Sequence, residues 1–289
     1  MEFKELGTSK LRLPEIGLGT WKYAGGIDPL RAGIDHGASL IDTAEAYGTE
    51  EIVGEAIRDR RDQVFLATKV LPRNFRRREL IAAADRSLRR LGTDYIDLYQ
   101  LHWPNYTIPI EEPIRAMEEL VEAGKIRFIG VSNFSVRELK NAQAALSRHR
   151  IVSNQVRYSL VERTIEAGLL KYCQQNGITV IAYSPLGMGL PQILTRDPAK
   201  ILSRVANAAG KTEVQVALNW LIAKDNVIAI PKASTVAHVV ENCRASGWRL
   251  SQGDYDLMAT KIHCQRRGRI ESAARRWAKQ VLQLSGREL

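Results

Sequence analysis

Three observations predict an α/β fold, a closed (β/α)8 TIM barrel. They are eight short apolar runs, a helical pattern after nearly every run, and a chain of 289 residues. The runs are Ile16–Gly19, Ser39–Asp42, Val64–Lys69, Tyr95–Leu101, Ile126–Val131, Ile151–Gln155, Thr179–Tyr183 and Val227–Pro231. Each is short and nearly all apolar, as strands buried on both faces of a parallel sheet must be. Alternation alone also fits an open doubly wound sheet, and the count of eight favours closure.

The intervening stretches carry the helical period. Arg77–Leu91 puts Leu80, Ile81, Ala84, Leu88 and Leu91 on one stripe, and Pro113–Ala123 does the same with Ile114, Met117, Leu120 and Val121. Gly92, Gly124 and Gly177 follow such patterns and read as C-caps. Phe3–Leu13, with Gly7 in its middle, reads as an N-terminal β-hairpin capping one end of the barrel. The barrel is expected over about 14–245, inside a single domain 1–289. Beyond about 250 lies a C-terminal helical extension. Its residues Ile270, Ala273, Ala274, Trp277, Val281 and Leu284 fall at helical spacing, which reads as a helix on the barrel's outside.

Charge narrows the function classes. The net charge is +10, and from Lys261 onward eight basic residues face only Glu271 and Glu288, so this tail holds +6 of it. A solvated helix face explains that excess, and no interleaved aromatic platform supports nucleic-acid binding. Cys173, Cys243 and Cys264 are odd in number and far apart, with no CxxC pair, so neither a disulfide framework nor a metal site is expected. No signal-like start and no long apolar run is present, and the expectation is a cytoplasmic monomer without membrane association.

In a barrel the chemistry sits at the C-terminal ends of the strands. The second run ends in Asp42, the third in Lys69 and the fourth in His102; Tyr47 lies in the loop after Asp42. Later runs end in Ser132-Asn133, Asn154-Gln155, Tyr183-Ser184 and Lys232. Asp42, Lys69 and His102 close three successive strands and therefore converge. A tyrosine near pKa ~10 donates protons poorly, but a nearby ammonium lowers that value. Lys69 supplies the ammonium, Asp42 balances it, and a neutral His102 can donate a hydrogen bond to a substrate oxygen. This set contains no nucleophile–base pair, no metal-ligand triad and no facing carboxylates. It builds a proton donor for a carbonyl oxygen gaining charge, and the electrons must come from a hydride-donating cofactor.

Seven segments carry a family resemblance. They are Gly17-Leu18-Gly19-Thr20-Trp21, Leu40-Ile41-Asp42-Thr43-Ala44 with Tyr47-Gly48, Thr68-Lys69, Leu101-His102-Trp103-Pro104, Gly130-Val131-Ser132-Asn133-Phe134, Ala182-Tyr183-Ser184-Pro185-Leu186-Gly187 and Ile230-Pro231-Lys232. With them the chain resembles the aldo-keto reductases over roughly residues 1–245. The resemblance implies NAD(P)H-dependent reduction of an aldehyde or ketone. The family's tetrad would fall on Asp42, Tyr47, Lys69 and His102, with Tyr47 as general acid. It implies NADP(H) as cofactor, with NAD(H) also accepted. The nicotinamide would stack on Tyr183, with Ser132, Asn133 and Gln155 at its carboxamide and Ser184, Leu186 and Gly187 at the pyrophosphate. Gly19, Thr20 and Trp21 would also face the cofactor. Lys232, Ala233, Ser234, His238, Glu241 and Asn242 would take its adenosine end, and Trp21 and Trp103 would wall the substrate pocket beside Tyr47 and His102.

Two departures stand out. Ala233 replaces the hydroxyl and His238 the guanidinium that NADPH-preferring members carry, so weaker discrimination against NAD(H) is expected. Where members carry a pocket-closing C-terminal loop, Gln252 to Leu289 is a basic, helix-like stretch. It reads as a helix on the barrel's outside, with a pocket lid or oligomer contact as the alternatives. The stretch from Leu186 to Ala199 is also short, which implies an open pocket. The alternative is a cofactor-sensing regulatory subunit with little turnover, and the intact tetrad weighs against it.

Overall fold

A computed structural model describes residues 1–265 together with Ala274 and Ala278. In chain order the described strands are β1 (Phe3–Glu5), β2 (Arg12–Pro14), β3 (Leu18–Gly19), β4 (Leu40–Asp42), β5 (Phe65–Val70), β6 (Ile96–Leu101), β7 (Ile126–Ser132), β8 (Ile151–Arg157), β9 (Thr179–Tyr183) and β10 (Val227–Ile230). From β3 to β10 each strand pairs in parallel with the next. An Ile16–Ala229 bridge brings the last strand back to the first, with Gly17 donating its amide to Ala229 O at 2.8 Å. The barrel predicted from eight runs is therefore the barrel observed. Gly19 is required at the seam, because a Cβ there would stand 2.7 Å from Ile230 O.

Burial on both faces explains why these runs were readable: every residue of β4, β5 and β6 is buried. Arg77–Leu91 forms the predicted helix, with Leu80, Ala84 and Leu91 buried along it. The next helix begins earlier than predicted, at Glu111, and runs to Glu122. Its first-turn carboxylates suit the positive helix end, and Pro113 sits where a missing N–H costs nothing. Gly92 and Gly124 take φ of +61° and +70°, as C-caps should.

One strand boundary differs in a way that matters. β8 does not end at Gln155 but continues to Arg157, because its ladder with β9 holds through the Arg157–Tyr183 pair.

The hairpin of β1 and β2 plugs the N-terminal end of the barrel. Leu6 and Leu13 are buried there with Leu40, Phe65, Leu98, Val152, Ile181 and Ile228. Gly7 donates its amide to Thr179 Oγ1 at 2.8 Å at the start of β9. Lys4 locks the plug from outside, its ammonium donating to the carbonyls of Ile222, Lys224 and Val227. A second, larger core lies between strands and helices and includes Tyr99, Met117, Phe134 and Trp220.

Past the barrel, the helix Gln252–Lys261 buries Met258. Of the tail positions at helical spacing, Ala274 is helical and exposed; the others lie outside the described residues. Among the described residues no helix is long and apolar enough to cross a membrane.

Candidate active site

The second turn of side chains inward from the plug is polar. Asp42, at the end of β4, is 2% exposed, and Lys69, on β5, is fully buried. The Lys69 ammonium donates to Asp42 Oδ1 at 2.5 Å, to Thr43 O at 2.8 Å and to the Tyr47 hydroxyl at 3.4 Å. The Tyr47 hydroxyl in turn lies 3.3 Å from His102 Nε2, with the two rings edge to face. The four residues predicted to converge thus form one contact chain.

Electrostatics of the chain depart from the sequence expectation at one point. Burial raises the Tyr47 hydroxyl above its ordinary pKa by more than Lys69 lowers it, and Asp42 adds to the rise. The ammonium moderates the tyrosine without making it acidic. Burial also works against charge on Lys69, but Asp42 and Tyr47 outweigh it and hold the ammonium protonated. His102 is pushed down to about 3, first by burial and then by the Lys69 charge, so its ring is neutral, as expected. Its Nδ1 is buried without a partner among the described residues, which leaves Nε2 as the nitrogen aimed into the mouth.

The remaining Asp42 oxygen is held from across the barrel. Gln155 donates to Oδ2 at 2.7 Å and Gln100 at 3.3 Å. Gln100 has room because β7 carries Gly130 opposite; a Cβ there would stand 2.9 Å from Gln100 Cγ. Ser132 donates its hydroxyl to Gln155 O at 3.0 Å and accepts from Asn133 Nδ2 at 2.9 Å. Asn133 takes φ of +66°, donates to His102 O and accepts from the Tyr183 hydroxyl at 3.0 Å. Ser132, Asn133, Gln155 and Tyr183, expected to act together, are therefore one network joined to His102.

Several residues that fix this site escaped the sequence reading. Gln100 stands two residues before His102, and period two alone puts both on one face. The loop bearing Tyr47 is tied at both ends. Thr49 bridges the hydroxyls of Thr20 and Thr43, each at 2.9 Å. Glu45 accepts from Leu71 N at 2.5 Å and from Asn74 Nδ2 at 2.9 Å.

The other expected ligand contacts lie around the same rim. Thr20 is fully buried and spends its hydroxyl on Asp42 O and Thr49, so it braces the loop from beneath. Trp21 is 45% exposed, with the Lys22 ammonium 4.7 Å above its ring. Trp103 is half-buried next to His102. Ser184 and Gly187 turn the loop after β9 through φ of +48° and +69°, and Leu186 is half-buried between them. After β10, Lys232 and His238 are exposed, Ser234 and Glu241 are half-buried, and Ala233 and Asn242 are buried. Nothing in this arrangement resembles a metal cage or a nucleophile–base pair. It is a neutral imidazole and a protonated phenol beside a buried ammonium, open to one mouth.

Comparison with known proteins agrees. A profile of the Aldo/keto reductase family matches residues 15–262. Methylglyoxal reductase YeaE of Escherichia coli (strain K12) is 41% identical over 85% of this chain and 90% of its own length. The thermostable aldo-keto reductase Tm1743, solved with the inhibitor epalrestat, superposes with a TM-score of 0.85 at 43% identity. That match covers 90% of this chain and 99% of the other. An aldo/keto reductase from Klebsiella pneumoniae, solved with NADP and acetate, gives a TM-score of 0.84 at 40% identity, covering 93% of this chain and 99% of the other.

Proposed function

The chain belongs to the aldo/keto reductase family of carbonyl-reducing oxidoreductases, and from that premise we propose that it reduces small 2-oxoaldehydes, methylglyoxal among them, with NADP(H). The observation that carries the reading is the unbroken contact chain Asp42–Lys69–Tyr47–His102. The name of the similar reductase supports the substrate class, and the relative solved with NADP supports the cofactor.

When bound, the nicotinamide supplies the hydride. The protein's own residues do the rest. A carbonyl oxygen seated between the Tyr47 hydroxyl and His102 Nε2 receives a hydrogen bond from each. The raised pKa of Tyr47 keeps its proton in place at neutral pH until the oxygen becomes basic. Charge left on the phenolate is met by the Lys69 ammonium 3.4 Å away. Asp42 and Thr43 O hold that ammonium in a site from which water is largely excluded.

The mouth fits a nicotinamide. Tyr183 offers a half-buried ring fixed at its hydroxyl by Asn133, with the amides of Asn133 and Gln155 beside it. Lys232 is an exposed cation at the far rim, and His238 replaces a fixed guanidinium with an imidazole. NAD(H) is therefore accepted as well, with NADP(H) preferred. Trp21 and Trp103 form the apolar wall for the small substrate. Every residue in this reading comes from one chain, so a monomer suffices. A cytoplasmic location suits its three unpaired cysteines.

The test is loss of reduced-nicotinamide absorbance with methylglyoxal and a panel of small aldehydes and diketones. Turnover with NADPH, weaker with NADH, and lost in Tyr47→Phe is the expected result. Tight cofactor binding without turnover on any compound would favour the cofactor-sensing alternative.

A further inference from the structure

Arg157 is a charged group on the catalytic rim that the mechanism above does not use. β8 carries it two residues beyond Gln155. Side chains alternate along a strand, so Arg157 rises from the same inner row as Gln155, whose amide meets Asp42. Its register partner is Tyr183. From there its Nη2 reaches the sulfur of Met188 at 3.5 Å, on the loop after β9. Met188 is itself 61% exposed.

That contact is a poor match for a guanidinium. A thioether is a weak, uncharged acceptor, whereas the guanidinium presents five donors and keeps its charge. Most of the other half-buried or buried arginines here are compensated, Arg86 and Arg196 excepted. Arg61 pairs with Asp97 at 2.7 Å, and Arg163 donates to the carbonyls of Leu160, Ala259 and Met258. Even the exposed Arg249 reaches a carboxylate, the buried Glu15, at 2.6 Å. Arg157 is half-buried, and no carboxylate among the described residues pairs with it. A partly desolvated cation without a counter-charge is costly, and an oxyanion arriving at the mouth removes that cost.

We infer that Arg157 is an anion-binding residue of the mouth, its guanidinium taking a carboxylate or phosphate oxygen of a bound ligand. The inference rests on the reading of this mouth as the reductase site, where two such oxyanions arise: the cofactor's diphosphate and the carboxylate of an aldehyde acid such as glyoxylate, taken beside the uncharged 2-oxoaldehydes. Either source demands the same fork of donors.

Calorimetric binding of inorganic diphosphate and of glyoxylate to the free, full-length protein separates them. Wild type is compared with Arg157→Met and Arg157→Lys, each checked for native circular dichroism. The expected result is that one of the two anions binds wild type at least ~10-fold more tightly than Arg157→Met, with Arg157→Lys between them. Diphosphate as that anion assigns the residue to the cofactor, and glyoxylate assigns it to the substrate. Equal binding of both anions by wild type and Arg157→Met, or no binding of either by wild type, overturns the inference. Absence of NADPH turnover in wild type would sink the proposed function instead, and this readout does not depend on turnover.

Discussion

On β4, Leu40 and Asp42 point into the same barrel, one into the apolar plug beneath the hairpin and the other into the ion pair at the mouth. The same step recurs on β5 from Ala67 to Lys69 and on β6 from Leu98 to Gln100. One end of the interior is filled by aliphatic side chains and closed by β1 and β2. The other holds a buried charge pair satisfied by amides and open to the rim. The strands are shared, so the difference lies only in how far along each strand a side chain stands. The apolar end sets stability, and the polar end spends some of it to hold charges where chemistry needs them.

Substitutions at the two ends should separate these roles. Lys69→Met should have the largest effect. It removes the ammonium beside Tyr47, lowering kcat by ~10³-fold or more, and strands the Asp42 carboxylate in the interior at a cost of ~3–5 kcal/mol. Steady-state kinetics and urea unfolding measure both losses, and a stable, active variant would break the contrast at once. Leu98→Ala, at the plug, should cost ~2–5 kcal/mol through the cavity it leaves, while kcat of the folded protein stays within about threefold. A large fall in kcat there would show that the plug and the mouth are not independent.

The acid limb sharpens the comparison further. His102 is held near 3 in the folded protein against an ordinary value near ~6.5, so between those values the unfolded chain binds the proton that the folded chain refuses. This group's share of stability is therefore complete above about pH 6.5 and is lost as pH falls toward 3. His102→Asn should flatten that loss in denaturation curves across the window, whereas Leu98→Ala should shift the curve without changing its slope. The smallest effect is expected at Glu45. Glu45→Ala frees the turn carrying Tyr47 and should lower kcat a few-fold with little change in KM, while Glu45→Gln keeps an acceptor for Leu71 N and Asn74 and restores most of it.

The same contrast explains what the sequence disclosed. Strands buried on both faces write uninterrupted apolar runs, and a polar residue ending each run marks the mouth, so Asp42, Lys69, His102 and their convergence were legible. Tyr47 was legible from its place in the loop just after Asp42 and from the chemistry the three strand-end groups need, although a loop tyrosine has no period to fix it. Glu45 and Thr49 were hidden because the partners of the first, and Thr20 of the second, come from other loops. Gln100 was within reach of the period-two rule, counted back from His102. Arg157 was missed because the sixth run was read as ending at Gln155, and only the ladder with β9 shows the strand going on. The direction of the Tyr47 shift was misread for a different cause: charge neighbours follow from spacing, but burial, which dominates here, does not.

The measurement that bears most directly on the central claim is single-turnover reduction of methylglyoxal by Tyr47→Phe alongside NADPH binding by fluorescence quenching. The mouth described here predicts NADPH affinity within about twofold of wild type and reduction slowed by ~10²–10⁴-fold, the share of a positioned general acid. Reduction at the wild-type rate with the hydroxyl gone would contradict it, and would place the proton donor elsewhere on the rim.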